Sequence, residues 1–123
     1  MIGTRPVEAM LDAVTDDFRR DDRRRLVALP DDGAQGFVDG IRSLFELGLG
    51  NPTFSVVRVV AIRGERLALA QNKIEYSGGA AIELLSLVRL AADLTRMEAE
   101  VTFDLADEKT AIAELDRMHD ALA

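Results

Sequence analysis

An α+β domain with a mostly antiparallel sheet is the fold class this sequence predicts, and three observations predict it. Phe37, Val38, Ile41, Leu44 and Phe45 recur at helical spacing, and so do Ala111, Ile112, Leu115, Met118 and Leu122 near the other end of the chain. Residues 53–62 are dense in β-branched types, which suit a pleated surface. Met97, Ala99, Val101 and Phe103 alternate with Glu98, Glu100, Thr102 and Asp104, the pattern of a half-buried antiparallel strand.

The elements follow in order. Thr4 suits an N-cap and Pro6 a first helical turn, with Val7, Met10, Leu11 and Val14 as one apolar face, so a short helix is expected, ending near Asp16-Asp17. A strand is expected from Phe18 to Val27, where period-2 spacing puts Phe18, Arg20, Asp22, Arg24 and Leu26 on one face. Pro30-Asp31-Asp32-Gly33 is turn chemistry, and the second helix then runs until Gly48 and Gly50 stop it. After Asn51-Pro52 the β-branched strand leads into a hairpin turn at Arg63-Gly64-Glu65-Arg66, and a further strand from Leu67 to Tyr76 closes at Ser77-Gly78-Gly79-Ala80. Residues 81–94 are ambiguous by local pattern, because Ala81, Leu84, Leu85, Val88 and Ala92 also form a helical stripe. The alternating strand at 97–104 and a helix from about Asp107 complete a single domain over residues 1–123.

The bulk numbers limit the function classes. At 123 residues with 48% apolar content, the chain can bury the core of one typical domain. It has no cysteine, which excludes disulfides, thiolate zinc sites and cysteine nucleophiles, and no feature asks for an oxidising compartment. The net charge of -7 opposes a phosphate backbone, so nucleic acid is not an expected partner. No apolar run approaches a membrane span and no signal-peptide pattern opens the chain, so a cytoplasmic protein without membrane contact is expected. Arg19, Arg20, Arg23, Arg24 and Arg25 are interleaved with Asp16, Asp17, Asp21 and Asp22, which reads as a mutually paired or solvated strand face, with an anion site as the sharper alternative.

Three stretches carry a family resemblance. Ala13-Val14-Thr15-Asp16-Asp17-Phe18 leading into Asp21-Asp22-Arg23-Arg24, then Gly36-Phe37-Val38-Asp39-Gly40-Ile41-Arg42-Ser43-Leu44-Phe45, then Val101-Thr102-Phe103-Asp104, resemble in their order the nuclear-transport-factor-2-like (SnoaL-like) domains. The resemblance spans roughly residues 7–120. It implies a curved, mostly antiparallel sheet forming a cone packed by helices, and it makes residues 80–92 a strand against their local propensity. It also implies a long opening helix for which there is no room before Pro6, whereas the helix at 107–122 is one that many such domains lack. Sheet-to-sheet homodimers are a frequent outcome in such domains. A homodimer is expected here as well, because strands 54–62 and 82–90 read as apolar on both faces.

Where such domains are enzymes, the resemblance implies acid-base work by a carboxylate in an apolar pocket. Asp22, Asp104 and Tyr76 are the catalytic candidates, and Asp22, Arg24, Arg58, Asn72 and Glu83 are the ligand-binding candidates. Asp22 shares its strand face with Arg20 and Arg24, and pairing with them suits anchoring a ligand better than abstracting a proton. Asp104 shares a lane with Glu98 and Glu100 that is expected to face solvent, and it stands where a turn or cap before Asp107 needs an acid. Tyr76 ends a strand at a turn, as a rim residue or an oxyanion donor. Asn72 and Glu83 are strand polars that line a pocket or meet water, with Lys73 as the expected cross-strand partner of Glu83. His119 is the only histidine, so neither a normal zinc site nor any other metal centre is expected, and no glycine-rich phosphate loop is present. No cofactor is implied. The leading functional reading is a domain that binds a small hydrophobic ligand. An acid-base isomerase, cyclase or hydrolase on a small hydrophobic substrate and a dimerisation or sensor module are the alternatives, which leaves open whether the chain is an enzyme.

Overall fold

The computed structural model describes residues 12–25, 33–36, 39 and 52–122. Within them lie five strands, β1 (Val14–Asp22), β2 (Pro52–Arg63), β3 (Leu67–Tyr76), β4 (Ala81–Leu90) and β5 (Met97–Phe103), followed by a 3-10 turn at Leu105–Asp107 and the helix α1 (Glu108–Leu122). The strands form one sheet in the order β1-β5-β4-β3-β2. Strands β2 to β5 make an antiparallel meander, and β1 returns to pair parallel with β5.

The turns follow from local chemistry. Gly64, with φ of 59°, makes the β2–β3 turn, and Gly79, with φ of 99°, sits in the β3–β4 turn, where the Tyr76 N–H donates to the Ala80 carbonyl. The β4–β5 link instead places Leu94 at φ 63°, its N–H donating to the Ala91 carbonyl. That is a left-handed position held by a residue with a side chain.

Strand β4 shows tertiary pairing overriding propensity. Its backbone is bonded on one edge to β3, from Leu67↔Arg89 to Glu75↔Ala81, and on the other to β5, from Leu85↔Phe103 to Leu90↔Met97. A helix would satisfy the same backbone groups but could bury only one stripe. As a strand, residues 84–87 are all buried, Leu85 and Leu87 on one face and Leu84 and Ser86 on the other.

Helix α1 packs on the face that carries Leu67, Leu69, Leu85, Leu87, Val101 and Phe103, inserting Ala111, Leu115 and Met118. Ile112 packs against this cluster from its edge, while Leu122 is exposed. Each fully buried aliphatic side chain contributes about 1.5–3 kcal/mol. Ion pairs ring the helix, from Arg23 to Glu114, Arg25 to Asp107, Arg58 to Glu108 and Arg63 to Asp116. Except at the buried Glu114, these pairs are about half open to solvent or more on one side and are worth about 0–1 kcal/mol each, so packing is the larger contribution to seating the helix.

Four expectations are corrected or fall elsewhere. The first helix does not reach Asp16-Asp17: Val14 already pairs with Met97 and begins β1, because burying Val14, Thr15 and Phe18 against β5 outweighs a marginal helical turn. Val7, Met10 and Leu11 lie outside the described residues, as do Leu26 and Val27, and the strand expected at 18–27 is displaced to Val14–Asp22. Residues 33–36 and 39 are helical, but Phe37, Val38, Ile41, Leu44 and Phe45 lie outside the described residues. Of the two strands read as apolar on both faces, β4 is largely buried at its centre, whereas edge strand β2 leaves Phe54, Val56, Val57, Val59 and Ile62 exposed.

Candidate functional site

Strand alternation puts β5 residues Glu100 and Thr102 on the sheet face opposite α1, since Val101 and Phe103 point into the α1 core. The register aligns Arg20 with Glu100 and Asp22 with Thr102 on one side, and Ser86 with Thr102 and Val88 with Glu100 on the other. Three strands distant in sequence thereby bring Arg20, Asp22, Ser86, Glu100 and Thr102 to one patch.

Two hydrogen-bonded groups make up this patch. Arg24 grips Asp22 in a two-pronged pair, Nε donating to Oδ1 at 2.8 Å and Nη2 to Oδ2 at 2.7 Å, and the Arg24 backbone N–H donates to Oδ1 at 3.2 Å. The Thr102 hydroxyl donates to the same Oδ1 at 2.8 Å. The Asp22 side chain is only 1% exposed and so depends on these donors. The hydrogen bond that Arg24 donates to Asp22 comes first among the causes that raise the Arg24 pKa above its ordinary value, with burial opposing it.

Glu100 forms the second group. Its Oε2 accepts a 2.7 Å hydrogen bond from the Ser86 hydroxyl, and among the described residues no ion pair to it is formed. The residue retains some solvent contact, yet its carboxyl is surrounded densely enough that desolvation is the leading influence and raises its pKa. The Ser86 hydrogen bond and the charges of Arg20 and Arg24 oppose that rise, while the charge of Asp22 adds to it. This corrects the expectation that Glu98, Glu100 and Asp104 share a solvated lane. Strand β5 is central, flanked by β1 and β4, so the side chains on its second face also lie within the protein. Glu98 is bound instead by Arg66 and by Arg89, the latter at 3.3 Å.

Away from β1 and β5 the same face turns apolar. Leu84 and Val88 on β4 lie opposite Asn72 and Ala68 on β3, and Phe54, Val56 and Val59 of β2 align with Ile74, Asn72 and Ala70. Asn72 sits in this apolar field with its Oδ1 buried and without a hydrogen-bond partner among the described residues.

The other sequence candidates divide between the faces. Tyr76 closes β3 on the same face, where burial raises its phenol pKa and Arg24 lowers it. Asp104 precedes the 3-10 turn without a side-chain cap bond, and its carboxylate accepts the Arg25 backbone N–H at 3.1 Å. Arg58 and Glu83 lie on the α1 face, joined through Gln71: Arg58 Nε donates to Gln71 Oε1 at 3.0 Å and Gln71 Nε2 donates to Glu83 Oε1 at 3.1 Å. Lys73 does stand opposite Glu83 in the ladder, although its ion pair goes to Glu75. The structure thus groups Asp22, Arg24, Asn72 and Tyr76 on one face and separates Arg58 and Glu83 from them.

Arg20, Ser86, Glu100 and Thr102 were not candidates from sequence. The signal available for Arg20 was its place in the period-2 lane with Asp22 and Arg24. Nothing local marked Glu100, because only the parallel β1–β5 register brings the charged lane of β1 beside it.

The arginine-aspartate run resolves into paired charges, with Arg23 on Asp21, Arg24 on Asp22 and Arg25 on Asp107. Arg23 also lies 5.5 Å from the centre of the Phe103 ring, on the α1 side. Among the described residues no group of three or more His, Cys, Asp or Glu is placed to hold a metal ion, and no helix is long and apolar enough to cross a membrane.

No family model matches the chain, and no curated protein matches it in sequence. Solved structures do match in fold. PrhC from Penicillium brasilianum NBRC 6234 superposes with a TM-score of 0.67 at 14% identity, over 98% of this chain and 87% of its own. A SnoaL-like polyketide cyclase, so described, from Shewanella putrefaciens CN-32 gives 0.60 at 11% identity, over 91% and 75%. A protein with a ketosteroid-isomerase-like fold from Catenulispora acidiphila DSM 44928, solved in complex with trimethylamine, gives 0.57 at 11% identity, over 84% and 78%. With its mixed, curved five-stranded sheet and the helix packed on it, this chain has the SnoaL-like, nuclear-transport-factor-2-like α+β fold.

Proposed function

We propose that the sheet face opposite α1 binds a small ligand with an apolar body and one polar group. The observation that carries this reading is the gradient along that face, from the hydrogen-bonding patch of Asp22, Arg24, Ser86, Glu100 and Thr102 to the apolar field of Leu84, Val88, Ala70 and Val56. A few convergent polar groups beside an apolar wall is the usual composition of a small-molecule site. The test is a titration of the 15N-labelled protein with 1-octanol, a neutral probe, followed by amide NMR shifts. Saturable shifts at Ser86, Glu100 and Thr102, with Leu115 and Met118 unmoved, are expected. Shifts confined to α1, or none that saturate, would refute the site.

Acid-base catalysis on such a ligand is a second reading, favoured by Glu100 itself. A carboxyl whose pKa is raised by desolvation, with no arginine bound to it among the described residues, is suited to exchanging a proton, whereas Asp22 is held by Arg24. In that role Glu100 takes a proton from an acidic C–H of the substrate and later returns one. Hydrogen-deuterium exchange at the α-carbon of cyclohexanone tests it: acceleration by the parent that is lost in Glu100→Gln supports the reading, and equal rates count against it.

A homodimer and a cytoplasmic location belong to the same proposal. The exposed Phe54, Val56, Val59 and Ile62 on edge strand β2 support self-association, and the absence of cysteine leaves no need for an oxidising compartment. Light scattering coupled to size exclusion tests the dimer. A mass that stays near 13.5 kDa on concentration would reject it.

A further inference from the structure

We propose that Asn72 determines the specificity of this face by accepting, at its side-chain oxygen, a hydrogen bond from a hydroxyl or amide N–H on the ligand's apolar body. The ligand is then a neutral molecule with a donor set apart from the polar group seated at Ser86 and Glu100. The inference deepens the ligand-binding reading and rests on it.

Asn72 lies in the middle of β3, where asparagine is a poor strand former. The register sets it between Val56 on β2 and Leu84 on β4, and its neighbours on the same face of its own strand are Ala70 and Ile74. All four side chains are apolar. Asn72 Oδ1 is closed off from water and has no hydrogen-bond partner among the described residues. The Ser86 hydroxyl lies diagonal to it across the β3–β4 pair, but that hydroxyl donates to Glu100 Oε2 at 2.7 Å. Gln71 and Lys73 alternate to the α1 face, where Gln71 is engaged with Arg58 and Glu83.

A buried acceptor without a donor costs the fold stability, because the bond to water is lost and nothing replaces it. An apolar side chain of the same shape carries no such cost, so the oxygen gains its partner only when a donor arrives with the ligand. Val56 is 63% exposed and Leu84 only 5%, so the shielding of Asn72 comes from the inner side of the face, toward the polar patch. Diagonal neighbours on adjacent strands lie about 7–8 Å apart, which puts Asn72 and Ser86 within the span of one small molecule. The donor is neutral because the residues flanking Asn72 on this face carry no charge, and an ammonium there would exchange water for apolar walls and a single amide dipole. An ether of the same size is rejected, since it leaves the buried acceptor unpaired and sets a second oxygen against it.

Two probes of equal size separate the outcomes, 1,8-octanediol and 7-methoxyheptan-1-ol, with 1-octanol as reference, each titrated into the full-length 15N-labelled protein. Both carry a hydroxyl for the patch, and only the diol has a donor left for Asn72. The diol should bind about tenfold more tightly, well beyond the roughly twofold advantage of its two equivalent ends. Asn72→Leu and the smaller Asn72→Ala should each bring that ratio down to about two by weakening the diol alone. Asn72→Leu, which removes the unpaired oxygen at nearly constant shape, should also raise the urea midpoint of the ligand-free protein. A diol preference that survives in Asn72→Ala would overturn the proposal, as would a midpoint that falls in Asn72→Leu. Tighter binding of the methoxy alcohol would overturn it too, because the amide would then be presenting its NH2 group to the ligand. Saturable binding of 1-octanol with no preference for the diol would overturn it while leaving the ligand-binding face intact, whereas saturable binding of none of the three would remove both.

Discussion

The Thr102 hydroxyl donates a 2.8 Å hydrogen bond to Asp22 Oδ1 across the parallel β1–β5 pair, joining residues eighty positions apart. This bond and the Arg24 pair are what hold a carboxylate that is almost wholly removed from water. Asp22→Ala should destabilise the protein by about 3 kcal/mol, because it leaves the guanidinium of Arg24 without the carboxylate it grips, whereas Thr102→Val should cost only about 1 kcal/mol. Urea melts of the two variants measure this. Equal losses would mean that the ion pair is not what secures β1.

Glu100 should make stability depend on pH in the direction opposite to most carboxylates. Its folded pKa is raised by burial, so between its unfolded and folded pKa values the native state holds a proton that the unfolded chain releases. Stability therefore falls as pH rises through that window, at up to about 1.4 kcal/mol per pH unit for one proton, and stays reduced above it. Glu100→Gln should be the more stable protein at neutral pH and should converge with the parent in acid. Thermal melts across pH that run parallel for the two proteins would contradict this.

Glu114 provides the contrasting sign. The Arg117 hydrogen bond first, and the charges of Arg23 and Arg117 after it, outweigh desolvation and lower its pKa. Its contribution is present above the unfolded carboxyl pKa and lost as pH falls through the folded one. Glu114→Gln should lose about 1 kcal/mol at neutral pH and nothing in strong acid, as read from urea midpoints at the two pH values.

Leu115 occupies the centre of the α1 contact and is fully buried among Leu67, Leu69 and Leu87. Leu115→Ala should cost about 3 kcal/mol, the usual range for a leucine removed from a packed core. Leu122→Ala, at the exposed end of the same helix, should cost well under 1 kcal/mol. Denaturant titrations of the pair test whether packing or the surrounding ion pairs seat the helix.

Leu94 holds a left-handed backbone conformation in the β4–β5 link with an exposed side chain. Glycine adopts that conformation without a Cβ clash, at the cost of a more flexible unfolded chain. Leu94→Gly should therefore raise stability by about 0.5–1 kcal/mol, read from the denaturation midpoint at unchanged slope. A loss would show that the leucine side chain makes a contact worth more than the strain.

The sequence by itself determined the elements whose local signals agree. Alternation at Met97–Phe103, β-branching along Pro52–Arg63 and the Ala111, Leu115 and Met118 stripe each name one structure, because propensity and burial favour the same geometry there. The tertiary structure decided the rest. The composition of Ala81–Leu90 suits a helix, and only hydrogen bonding on both edges together with burial on both faces makes it a strand. Val14 and Thr15 fit a helical turn locally and join β1 because β5 is there to bury them. The candidate site divides in the same way. Asp22 and Arg24 were legible because they lie two residues apart on one strand, within reach of each other whatever the fold. Glu100 was not, since its removal from water depends on a parallel strand that the chain places eighty positions earlier, and a charge read along one strand carries no information about which strand lies beside it.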